Sequence, residues 1–125
     1  MIGYATIGTN DLDKARGFYD KVLGALGGKR TMAFDRMQFY GGNGPSMLAV
    51  CKPYDESPAS VGNGSMFGLP ATDRAGVDAA HAAALAAGGT CEGPPGQRMD
   101  GFYGAYFRDL DGNKLAAFCI GPADQ

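Results

Sequence analysis

Apolar and polar positions change period several times along the chain, and each change marks an element. Ile2 to Ile7 is a short β-branched and aromatic run ended by Gly8, the pattern of a strand. Thr9-Asn10-Asp11 then supplies capping side chains ahead of Leu12, Ala15, Tyr19, Val22 and Leu26, which are apolar at helical spacing. Asp11 and Asp13 fall near the positive end of that helix, where carboxylates are favourable, and Gly27-Gly28 stop it. Three further strands are predicted around Thr31 to Ala33, Asp35 to Tyr40 and Met47 to Lys52, the last two joined by Gly41-Gly42-Asn43-Gly44. This first unit reads βαβββ.

The same order then recurs. Tyr4, Asp11 and Gly27-Gly28 have counterparts in Met66, Asp73 and Gly88-Gly89, about 60 residues on and near half of the 125-residue length. Met66 to Pro70 restarts as a strand, Thr72-Asp73 cap a helix with Val77, His81, Ala84 and Leu85 on one side, and strands follow around Thr90 to Glu92, Tyr103 to Arg108 and Lys114 to Ile120. Asp109-Leu110-Asp111-Gly112-Asn113 reads as a hairpin connection in which Gly112 takes positive φ. The segment GPPGQRMDG, residues 93–101, reads as a long polar loop. PYDESPASVGNG, residues 53–64, reads as a linker between modules at 1–52 and 65–122 of one domain spanning 1–125. Neither unit can bury its apolar face alone, so the copies are expected to pack together or to exchange partners between chains. A cleft between modules is the natural place for a ligand.

Composition narrows the function classes. Hydrophobic content of 45% suits one compact domain, and a net charge of -2 with no basic cluster beyond Lys29-Arg30 argues against nucleic acid. No apolar run approaches the length of a membrane span, and the chain opens directly on a strand pattern, so a cytoplasmic protein is expected. Cys51, Cys91 and Cys119 are odd in number and form no CxxC pair, which reads as reduced, structural thiols.

The opening YATIGTNDLDKARGFYD, the helix VDAAHAAALAAGG and the closing YGAYFRDLDGNKLAAF resemble the glyoxalase/bleomycin-resistance/dioxygenase group, the vicinal oxygen chelate superfamily. The resemblance covers essentially the whole chain, and the RDLDGNK hairpin is a specific mark. It implies an α+β fold of two βαβββ modules whose curved mixed sheets enclose a cavity, commonly assembled as a homodimer. Relatives include metal-dependent isomerases, thiol transferases and dioxygenases, and metal-free proteins that sequester drugs.

Strand parity tests whether the family's metal site persists. Ala5 and Ile7 suit the helix side of the first strand, leaving Ile2, Tyr4 and Thr6 for the cavity; Leu48 and Val50 leave Met47, Ala49 and Cys51 there. Met66, Gly68 and Pro70, and Lys114, Ala116 and Phe118, follow by the same alternation. The positions that carry His, Glu or Gln ligands in metal-using relatives align with Tyr4, Ala49, Met66 and Ala116, none suited to a hard divalent ion. No metal and no other cofactor is expected.

Other residues admit two readings. His81, the single histidine, falls with the core residues of its helix as a packing or hydrogen-bonding group. Cys51 is a cavity-facing thiol, nucleophile or buried structural group, with no histidine near in sequence to activate it. Tyr4 and Met66 form a polarisable floor for flat ligands or filled core. Phe102, Tyr103 and Tyr106 stack on a ligand or pack the sheet, and parity leaves open which of them face inward. Arg36 and Arg108 anchor an anionic group or stand as solvated strand charges. Asp109, Asp111 and Asn113 lack the later glutamate of a calcium loop and read as a turn. The expected ligand-binding set is Tyr4, Met47, Cys51, Met66, Phe102, Tyr103, Tyr106, Arg108 and Phe118, with no catalytic residue assigned. The leading expectation is a metal-independent protein binding a small apolar or aromatic molecule. The alternatives are a lactoylglutathione lyase-like, glyoxalase I-like enzyme with displaced ligands, and a structural dimer module with a filled cavity.

Overall fold

The computed structural model describes residues 1–122. The elements run β1 (Tyr4–Gly8), α1 (Leu12–Gly24), β2 (Lys29–Phe34), β3 (Met37–Gly41), β4 (Met47–Cys51), β5 (Phe67–Pro70), α2 (Arg74–Ala86), β6 (Thr90–Met99), β7 (Phe102–Arg108) and β8 (Lys114–Ile120). They form two four-stranded sheets in the orders β1-β4-β3-β2 and β5-β8-β7-β6. In each, the first strand of the module runs parallel to the last and the remaining pairs are antiparallel. The βαβββ repeat and the mixed α+β sheets are therefore as expected.

Both helices start as the capping residues dictate. Asp11 accepts from the Lys14 amide and Asp73 from the Gly76 amide, each satisfying an amide that the helix itself leaves without a partner. α1 buries Leu12, Ala15, Phe18, Tyr19, Val22 and Leu23, and α2 buries Val77, Ala80, His81 and Ala84. These faces share one core with Ile7, Tyr40 and Val50 of the first sheet and Ala105, Phe107, Leu115, Ala117 and Cys119 of the second. The modules thus meet through their helices, α1 against α2. The alanines of α2 permit this close approach, and Phe18 of α1 reaches Phe107 of β7 at a ring separation of 6.5 Å.

Several boundaries move. β6 extends through residues 93–99, where the sequence reads as a loop. Gly and Pro hide the strand, but β6 lies at a sheet edge, where Pro94 and Pro95 are tolerated and register shifts absorb the irregularity. Asp35 and Arg36 form the β2–β3 turn rather than the start of a strand, and β2 is longer than Thr31 to Ala33. Met66 precedes β5 and lies outside it.

Candidate functional site

Each sheet has one face against the helices and one opposite face, and the two opposite faces carry the candidate residues. In the first sheet, pairing sets Tyr4, Thr6 and Gly8 beside Met47, Ala49 and Cys51, which in turn pair with Gly41, Phe39 and Met37. Tyr4 packs edge-on against Phe39 at 5.6 Å and Phe34 against Phe39 at 6.2 Å, contacts worth about 1 kcal/mol each beyond area burial. The cluster is nonetheless open, with Tyr4 61% and Phe34 57% exposed.

In the second sheet, Gly68 and Pro70 pair with Ala116 and Phe118, which pair with Tyr106 and Gly104; Phe102 and Arg108 pair with Ile120 and Lys114. Phe102 and Phe118 stack, with centroids 5.6 Å apart and planes 6° off parallel. Arg98 and Lys114 both approach Tyr106, their charges 5.3 and 5.7 Å from its ring centroid. Arg108 donates to Glu92 at 2.5 Å and to the Gly112 carbonyl; the arginine's hydrogen bond and charge hold the Glu92 carboxyl below its usual range.

Phe102, Tyr106, Arg108 and Phe118 therefore share a face, and so do Tyr4, Met47 and Cys51. Tyr103 does not join them. It faces α2, where its hydroxyl donates to Asp78 at 2.6 Å and that bond raises its pKa, while Arg74 lies 4.7 Å over its ring. Alternation along β7 requires this once Ala105 and Phe107 enter the core. Met66 lies in the segment before β5, 48% exposed, so Gly68 rather than Met66 stands opposite Ala116. Arg36 lies over the Tyr54 ring and donates to the Lys52 carbonyl.

The sheets are curved but not closed: among the described residues no strand of one contacts a strand of the other, so a single chain does not enclose the expected cavity. A cleft of about 410 Å³ lies elsewhere, between Asn10, Asp13 and Arg16 at the start of α1 and Asp35 and Lys52. Apart from the buried Leu12, its lining is polar and charged.

The donor set does not fit a divalent metal. Tyr4, Thr6, Ala49, Gly68 and Ala116 occupy the central positions of the two open faces, and no three His, Cys, Asp or Glu side chains cluster among the described residues. His81 lies on the helix side, buried, with its ring against Phe107 and Nε2 3.2 Å from Cys91 Sγ. Burial lowers its pKa, opposed by the charge of Asp78. This imidazole–thiol pair has no signature along the chain, because only the packing of α2 on β6 joins residues ten apart. Strand parity already sets Lys114 on this face, whereas Arg98 falls in a segment that reads as a loop and carries no such signal.

Comparison with known proteins accords with this architecture. The chain is 42% identical to a glyoxalase/bleomycin resistance protein from Albidiferax ferrireducens T118, over 94% of this chain and 97% of that one, with a TM-score of 0.88. A lactoylglutathione lyase from Agrobacterium tumefaciens is 25% identical over 94% and 92%, with a TM-score of 0.70. A glyoxalase/bleomycin resistance protein/dioxygenase family enzyme from Burkholderia phytofirmans PsJN shares the fold at 18% identity, over 95% and 98%, with a TM-score of 0.76. No curated protein matches. The family model for this group matches residues 1–117, and with the paired βαβββ modules it shows that the chain belongs to the glyoxalase/bleomycin resistance protein/dioxygenase superfamily.

Proposed function

We propose that this chain is a metal-independent binding protein that takes a small, flat, largely apolar or aromatic molecule between the open sheet faces of a homodimer. The observation that carries the reading is the chemistry of those faces: Tyr4, Phe34 and Phe39 on one, Phe102, Tyr106 and Phe118 on the other. Aromatic walls suit burial of a flat guest. The same faces lack the histidine or free carboxylate that proton transfer or metal-assisted chemistry needs, since Glu92 is committed to Arg108. One chain leaves both faces exposed, and pairing with a second copy closes them into a cavity.

Calorimetric titration with 1-naphthol tests the reading. Saturable binding is expected, weakened by about 1 to 3 kcal/mol in Tyr4→Ala or Phe118→Ala, the value of one large side chain's contact. The second reading, a lyase, draws on the likeness to the Agrobacterium protein. Turnover of a glutathione hemithioacetal on addition of a divalent metal, with no naphthol binding, would replace the binding reading with that one.

A further inference from the structure

We infer that the open face of the β5–β8 sheet selects a ligand carrying a negative charge on an aromatic body, with Arg98 and Lys114 as the groups that hold the charge. This rests on the binding function proposed above and adds the chemical class of its ligand.

The positive charge on this face is in excess. Three cationic side chains, Arg98, Arg108 and Lys114, gather around Tyr106, and Glu92 is the carboxylate paired with one of them, Arg108, at 2.5 Å. That pair is neutral as a unit. Arg98 donates to the Pro94 carbonyl, which carries no charge, and neither Arg98 nor Lys114 has a carboxylate partner among the described residues. The chain as a whole is net negative, at -2, so three cations against one carboxylate on this face are a local reversal of its sign. An anion that meets both Arg98 and Lys114 is attracted by each of them.

The backbone makes room for this arrangement. A Cβ at Gly96 would come within 2.8 Å of Arg98 Nη1, and one at Gly93 within 3.2 Å of Nη2 and 3.0 Å of the Tyr106 ring. Bare backbone at both positions lets the guanidinium lie down over the strand and reach the tyrosine. Along the same face, a Cβ at Gly68 would come within 3.1 Å of the Phe118 ring and one at Gly104 within 3.0 Å of the Phe102 ring, so bare backbone lets the stacked, half-exposed pair lie against the strands. A flat ring can rest on that platform while its carboxylate, sulfonate or phosphate meets Arg98 and Lys114, a charge-assisted contact.

Calorimetry with 1-naphthoate and its neutral counterpart 1-naphthamide tests this. Naphthoate is expected to bind about 10-fold tighter or more, with an advantage that shrinks as sodium chloride is raised and disappears in Arg98→Gln/Lys114→Gln. Arg74→Gln, on the helix side, should leave the advantage intact. If both compounds bind but the amide binds equally well, or the preference survives the double substitution, the charge inference is overturned and the binding function stands. If neither compound binds, the binding function itself fails and takes this inference with it.

Discussion

Asp109 is a buried carboxylate whose four contacts are all to neutral donors. Its oxygens accept from the Tyr19 hydroxyl at 2.5 Å, the Asn113 side chain, and the amides of Asp111 and Asn113. Thr9 and Asn10 bond to Asp111, and Asn113 donates to the Gly8 carbonyl, so this turn fastens the β7–β8 hairpin to the β1–α1 junction of the other module. Asp109→Ala would strand these donors, and urea denaturation should show a loss of about 3 kcal/mol. Burial first, then the Asp109 charge, raises the Tyr19 pKa well above its usual 10.0. Above that value the unfolded chain releases a proton that the folded one keeps, so stability falls as pH rises. Tyr19→Phe should flatten that alkaline slope in urea melts at several pH values. A separate test concerns the thiols: Cys91 is exposed while Cys51 and Cys119 are buried, so iodoacetamide followed by peptide mass spectrometry should label Cys91 first. Equal labelling of all three would contradict the packing described.

The elements are stopped and started by residues that look alike in sequence and act differently. Gly88 ends α2 with φ of 101°, a left-handed conformation that favours glycine. Gly89 is required for space, because a Cβ there would lie 2.6 Å from the Arg108 carbonyl oxygen and 2.9 Å from that of Ala84. Both obstacles are backbone, so Gly89→Ala should cost about 2 kcal/mol by chemical denaturation. The two N-caps also differ. α1 has Asp13 in its first turn beside the cap Asp11, whereas α2 has no acid there besides its cap Asp73. Asp73→Ala should therefore cost about 1 kcal/mol, and Asp11→Ala less, in parallel urea melts.

At the scale of the molecule, both edge strands that begin the modules, β1 and β5, are unpaired on one side within the chain. Large apolar side chains stand exposed on and near the open faces, among them Ile2, Tyr4, Met32, Phe34 and Ile120. Such surface is unusual for a lone chain, and we expect sedimentation equilibrium to give a homodimer at micromolar concentration. A monomer across that range would defeat the idea of a cavity shared between copies. Dialysis against zinc, nickel or manganese should leave no stoichiometric metal and no thermal stabilisation, since an ion bound only to the native state would raise its melting temperature.

The periodicity of the sequence by itself determined the βαβββ repeat, the caps Asp11 and Asp73 and the alternation that sends Ile7 to the helix side of its sheet and Tyr4 to the opposite face. Those signals are local, written within one turn of helix or a few residues of strand. The sequence could not disclose β6 beyond Glu92, because an edge strand tolerates the prolines and glycines that elsewhere mark a loop. Nor could it choose among Phe102, Tyr103 and Tyr106, where parity has no anchor until Phe107 is seen to enter the core. The pairing of His81 with Cys91, the Asp109 network across modules and the gathering of Arg98, Lys114 and Tyr106 join residues on different elements. Only the tertiary structure decided these, since strand register and helix docking, not spacing along the chain, set which side chains meet.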